Sequence, residues 1–144
     1  MAGPQQLLRP EGRLDEVVLH VRPWRDDVVD QAGFDPRSPY AEDFWLPVLG
    51  PSTLWLLRRF AAGFDYSPDG FDLDLAETAA ALGLSGQARR VQRTCERLVA
   101  FNVAQYREEG VLAVRRALPA LPAGRVRQLP PALAAELRAQ EGCE

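Results

Sequence analysis

The chain has no lysine and no isoleucine, a single histidine, His20, and only two cysteines, Cys95 and Cys143. Two thiols without paired spacing do not make a disulfide framework, so a reducing compartment is expected. His20 has no partner in view, so a structural or solvated role is expected of it rather than that of a base. The sequence contains no carboxylate pair, nucleophile–base set or phosphate-binding glycine loop that would support catalysis. No run approaches the ~18 apolar residues of a membrane span, and the opening residues, Met1 to Pro10, lack the apolar core of a signal peptide. The expectation is a cytoplasmic protein that is not an enzyme, carries no metal or cofactor and acts through surface shape and charge.

What is present suits one packed unit. The 144 residues fall in the commonest size range for a domain, and 47% hydrophobic content is ample for a core. All 17 basic residues are arginine. Lysine and isoleucine codons are AT-rich and those of Ala, Arg, Gly and Pro are GC-rich, which points to a high-GC bacterial genome. Arginine abundance therefore carries little information, whereas arginine position carries more.

That position is uneven. Residues 1–85 hold 7 Arg against 14 Asp and Glu, residues 86–127 hold 9 against 3, and residues 128–144 hold 1 against 3, within a net charge of −3. A basic block on an acidic protein is an electrostatic footprint for phosphate. The competing reading is that the acidic half folds back onto the basic block, or pairs with it in a dimer.

Along the chain, residues 1–37 read as a flexible or irregular N-terminal arm: a loose terminus over 1–13, a short strand or extended piece around Val17–Val21, and a short helix from Arg25 to Gln31 stopped by Gly33. From Ser38, which is placed to cap a helix, Tyr40, Phe44, Trp45, Val48 and Leu49 recur at helical spacing, with Pro47 expected to kink or shorten it. After Gly50-Pro51, Leu54, Leu57, Ala61 and Phe64 define one side of a second helix, and both Trp45 and Trp55 are expected in the core. Phe71, Leu73 and Leu75 alternate with Asp72 and Asp74, a short strand. The Asp-x-Asp spacing resembles a metal loop only superficially, because Leu75 and Ala76 stand where oxygen donors would follow, so capping and a solvated edge are expected instead.

Leu75, Ala79 and Leu82 share a helix face, Gly83 supplies a left-handed stop, and Leu84 inserts into the core before Ser85. In the next helix Val91, Cys95 and Leu98 form the buried side, and Arg90, Arg93 and Arg97, joined by Arg89, form the other. Guanidinium groups suit phosphates and the major-groove edge of guanine. The competing reading is a solvated face whose arginines pair with Glu96 and acidic neighbours. Cys95 reads as a small hydrophobe.

The run Leu75-Ala-Glu-Thr-Ala-Ala-Ala-Leu-Gly-Leu-Ser85, continued by Val91-Gln-Arg-Thr-Cys-Glu-Arg-Leu98, resembles bacterial winged helix-turn-helix regulators. The whole chain, especially Ser38 to Pro51, also resembles an uncharacterised family of small proteins from high-GC Gram-positive bacteria, which brings no activity with it. Two departures from the regulator pattern matter. Five residues separate Ser85 from Val91, which lengthens the turn or the helix start, and Asn102 stands where glycine is usual. Asparagine best tolerates a left-handed cap among non-glycine residues.

Val103–Arg107 and Val111–Arg116 then pair around Glu108-Glu109-Gly110 as the wing, with an acidic tip and Arg107, Arg115 and Arg116 flanking it. Beyond it, proline-punctuated sequence leads to a last helix with Leu133 and Leu137, which covers the core or joins a dimer. The expected fold is mainly α with a small β-ribbon: a winged helix-turn-helix over 38–118, with its preceding apolar helix, and a Pro-rich segment and C-terminal helix over 119–144. The resemblance implies double-stranded DNA as partner, a transcriptional regulator, and a homodimer. Arg89, Arg90, Arg93 and Arg97 would lie in or beside the major groove, with Arg107, Arg115 and Arg116 on phosphates. The alternative is a winged-helix protein-interaction module docking through its acidic tip and aromatic N-terminal segment.

Overall fold

Strand β1 (Val18–Trp24) is the first element of the structure, a computed structural model that describes residues 18–142. The loose terminus expected over 1–13, the start of a strand at Val17, and Cys143 lie outside the described residues. After β1 come α1 (Asp27–Ala32), a π-helical turn (Ala41–Trp45) running into α2 (Leu46–Leu49), α3 (Pro51–Tyr66), β2 (Phe71–Asp74), α4 (Leu75–Ala81) and α5 (Ala88–Ala100). The chain continues through β3 (Ala104–Glu108), β4 (Val111–Arg115), α6 (Ala123–Val126) and α7 (Pro131–Gly142).

The four strands form one mixed sheet in the order β2-β1-β4-β3. Helices predominate and the expected ribbon is present as the β3–β4 hairpin, but that hairpin is half of a larger sheet, so the described residues form an α/β arrangement. The short strand expected around Val17–Val21 and the short helix expected from Arg25 to Gln31 are present as β1 and α1, with Gly33 at the end of the helix. β1 runs antiparallel to β2, with His20 opposite Asp72, and parallel to β4, with Arg22 opposite Ala113. Leu19 and Val21 point into the core and are fully buried.

Pro23 within β1 is accommodated by this geometry. The His20 amide donates to the Gly110 carbonyl on the β4 side, so the backbone groups of odd-numbered positions in β1 face β2. The β2 register ends at Val21 opposite Phe71, and Pro23 therefore lacks a donor where no strand asks for one.

Helix α3 packs on α5 and, through Phe60 and Phe64, on Phe71 of β2, burying Leu54, Leu57, Phe60 and Phe64. Each such side chain contributes about 1.5–3 kcal/mol when removed from water. Before it, Ser38 Oγ accepts from the Ala41 amide, as the capping expectation required. The π-helical turn follows from Pro47, which has no N–H and whose ring would collide with the carbonyl four residues earlier; widening the turn relieves both demands. Phe44 and Trp45 are buried, and the Trp45 indole donates to the Pro119 carbonyl at 3.0 Å. Trp55, expected in the core, is 55% exposed: it lies on the α3 face opposite the buried stripe.

The segment after β4 is sewn to the N-terminal half. Phe34 and Leu118 exchange backbone hydrogen bonds at 2.7 Å, and the Tyr40 hydroxyl accepts from the Leu121 amide at 3.0 Å. Gly33 permits the first of these, since a Cβ there would sit 2.4 Å from the Val29 carbonyl and 2.7 Å from that of Leu118. Helix α7 buries Ala134 and Leu137 and packs on the π-helical turn, which places it on the core.

Arg115 ties the sheet to α1. Its guanidinium stacks 3.8 Å over Trp24, donates to the Asn102 carbonyl at 2.9 Å and pairs with Asp26 at 3.1 Å, while Asp26 also caps α1 by accepting from the Val28 and Val29 amides. The Arg115 hydrogen bond first, and the Val29 amide next, hold the Asp26 carboxyl below its ordinary value of 3.8. A carboxyl depressed on folding contributes stability that is present above the unfolded value and lost as pH falls through the lower folded one. Urea denaturation measured from about pH 6 down to pH 2 is therefore expected to show an acid-side loss of stability that Asp26→Asn makes shallower.

Candidate nucleic-acid interface

Helix α4 begins where the Asp74 carboxylate accepts from the Glu77 amide at 2.9 Å, the capping role expected for that aspartate. Its end is a Schellman closure. The Leu84 amide reaches the Ala79 carbonyl at 2.7 Å and the Gly83 amide reaches that of Ala80, with Gly83 at φ 76°. Leu84 and Ala79 are both buried, which supplies the apolar contact of that motif. Ser85 and Gly86 follow at φ 59° and 67°, two successive left-handed residues, and α5 starts at Ala88. Of the five residues between Ser85 and Val91, Gly86 and Gln87 belong to the turn and Ala88 to Arg90 to the start of α5.

Helix α5 closes the same way. The Val103 amide reaches the Leu98 carbonyl at 2.9 Å and the Asn102 amide that of Val99 at 3.0 Å, with Asn102 at φ 62°. Ala88, Val91, Cys95 and Leu98 are buried, and burial pushes the Cys95 thiol up to about 12. A thiol so placed is a packing group.

The exposed side of α5 divides its arginines into two kinds. Arg89, Arg90 and Arg93 are exposed and form no ion pair or side-chain hydrogen bond among the described residues; Glu96 does not engage them. Arg97 instead donates to the carbonyls of Leu49 at 2.6 Å and Val48 at 3.0 Å and lies 5.0 Å from the Phe101 ring, so it binds the end of α2 to α5. The positive end of α5 carries Arg89 and Arg90, no acidic residue in its first turn and no side-chain cap. Cations there oppose the helix dipole by about 0.3–1 kcal/mol each, a cost that an anion laid against the turn would remove.

The hairpin shows the same division. Arg107 on β3, the strand packed beside α5, is exposed and unpaired among the described residues. Arg115 is buried in its contacts with Trp24, Asn102 and Asp26. Arg116 lies between, 3.9 Å from Asp65 and 5.6 Å from the Phe64 ring. The acidic half of the chain thus pairs with the far end of the basic block and leaves Arg89, Arg90 and Arg93 of α5 without ion pairs among the described residues. Glu108 and Gly110 lie at the tip as expected, with a register irregularity between Tyr106 and Glu108 that tightens it.

His20 has a partner that sequence reading did not supply: its Nδ1 is 2.6 Å from Asp72 across the β1–β2 ladder, on an exposed face. The signal was the alternation of both segments, which did not say that they pair. Among the described residues no group of three or more His, Cys, Asp or Glu is placed to hold a metal ion, and no helix is long and apolar enough to cross a membrane. Comparison with protein-family models, curated proteins and solved structures gives no match.

The two kinds of arginine are separable by stability. Arg97→Ala strips two charged hydrogen bonds from the end of α2 and is expected to cost about 1–3 kcal/mol in urea denaturation, against no more than about 0.5 kcal/mol for Arg93→Ala. At the end of α5, Asn102→Gly is expected to be close to neutral and Asn102→Val to cost about 1–2 kcal/mol by the same measurement, because only the latter must strain its Cβ in the left-handed region.

Proposed function

We propose that the chain is a DNA-binding protein of winged helix-turn-helix architecture, a transcriptional regulator that works as a homodimer in the bacterial cytoplasm. The order α3-β2-α4-α5-β3-β4 supports this reading, with β1 as an addition between β2 and β4. The reading rests on one observation above all: Arg89, Arg90 and Arg93 project from the first half of α5 without acidic partners among the described residues, in a protein of net negative charge. Unpaired guanidinium groups on one helix face are what a duplex requires, bidentate toward guanine in the major groove and as counterions to phosphate along it. Arg107 adds a phosphate contact from the hairpin, and Arg116 a weaker one shared with Asp65. Arg97 and Arg115 serve as struts that hold α5 and the hairpin in place. The Glu108-Glu109 tip keeps the hairpin out of a minor groove and leaves contact to its strands. A single recognition helix seldom supplies enough affinity, hence the dimer, whose half-sites would lie about one helical turn apart.

The alternative is a protein-docking module. Its support has shifted, since Phe44 and Trp45 of the aromatic N-terminal segment lie inside the core, and the acidic tip remains. The two readings part on salt. Binding to genomic DNA fragments, measured by fluorescence anisotropy, is expected to weaken with a log–log slope of about −0.9 for each phosphate neutralised. Arg90→Ala/Arg93→Ala should lose at least about tenfold in affinity while folding normally. Absent or salt-insensitive binding would favour the docking module.

A further inference from the structure

We infer that the groove along the exposed face of α3 is a binding site for a small planar aromatic carboxylate. The groove encloses about 570 Å³, within the ~300–1,000 Å³ range of small-molecule sites. Its floor is the outward stripe of α3, with Ser52, Trp55, Arg59 and Ala62 spaced one helical turn apart, and its far wall is Leu82 at the end of α4. Trp55 is the unusual member. It is one of the few large apolar side chains left exposed among the described residues, and the Arg58 guanidinium lies over one face of its indole, 5.1 Å from the ring centre. A flat hydrophobic face fixed in this way at the bottom of a groove suits a second flat ring stacked on it.

The charges in the groove select the ligand. Arg37 is neutralised by Asp35 and by Asp65 at 2.6 Å. Arg58 is occupied by Glu42 at 3.2 Å and by the Pro36 carbonyl. Arg59, one turn beyond Trp55, forms no ion pair or side-chain hydrogen bond among the described residues, although Asp72, Asp74 and Glu77 line a separate hollow on its other side. One uncommitted guanidinium beside one exposed indole fits one carboxylate attached to one aromatic system, and the remaining walls, Ala62 and Leu82 among them, are apolar. A polyanion would find only a single free cation in the groove among the described residues. Beyond the DNA reading, this site makes no use of the α5 face and stands or falls separately from it.

The test is titration of the full chain with 2-naphthoate, followed by the amide signals of Leu82 and the indole signal of Trp55 in heteronuclear NMR. Saturable shifts confined to the groove are expected, with 2-naphthamide about five- to tenfold weaker because it lacks the charge that Arg59 pairs. Arg59→Gln should lower naphthoate affinity by a similar factor and abolish the preference over the amide, while Trp55→Leu should weaken both compounds alike. Both are surface changes that leave the core stripe of α3 intact, and an unperturbed spectrum elsewhere checks folding. Absence of saturable shifts in the wild-type chain would overturn the inference. So would equal affinity for acid and amide, which would mean that Arg59 is spent on Asp72, Asp74 or Glu77 in solution.

Discussion

Strand β1 is hydrogen-bonded on both flanks, antiparallel to β2 and parallel to β4, and the sheet depends on that double engagement. Without it β2 would be an isolated four-residue strand and β3–β4 a lone hairpin, an arrangement of marginal stability in water. With it, Leu19 and Val21 join Leu112 and Val114 of the neighbouring strand in the buried core that also holds Phe60 and Phe64. The Arg115 guanidinium then bridges β4, Trp24 and the cap of α1. The pose of the hairpin relative to α5 follows from this anchoring.

Local chemistry was legible in the sequence, and partners were not. The cap at Asp74, the glycine stop at Gly83, the left-handed Asn102 and the inward face of Val91, Cys95 and Leu98 all depend on residues within a turn or two of one another. The alternation around Leu19 and Val21 was equally visible, but pairing β1 with strands at residues 71–74 and 111–115 is a long-range choice that alternation does not encode. Trp55 failed for a related reason. In helical projection it lies opposite the stripe of Leu54, Leu57 and Phe64, but an indole reads as core by its size, and only the packing of α3 shows that this face is left uncovered. Helix α6 was missed because Arg125-Val-Arg127 reads as part of an extended proline-rich path, whereas Pro122 nucleates a turn through its carbonyl.

The arginines show how far composition misleads. With no lysine in the chain, guanidinium groups must serve as solvating charge, structural strut and binding group alike. The helical stripe of Arg90, Arg93 and Arg97 looks uniform in sequence, yet its last member is a clasp on α2 and its first two face outward without ion pairs among the described residues. Spacing identifies a face; only the neighbours of each head group separate these roles.

The central position of β1 also bears on how the chain is made. Ribosomes deliver about 5–20 residues per second, so β1 emerges several seconds before the β4 strand that it must lie beside. During that interval α3, α4 and α5 become available to pack on one another, because their contacts are closer in sequence. The nascent chain then carries an apolar segment, with Leu19 and Val21 unprotected, until nearly the whole domain has been synthesised, and closure of the sheet is the late step that loop entropy makes slow.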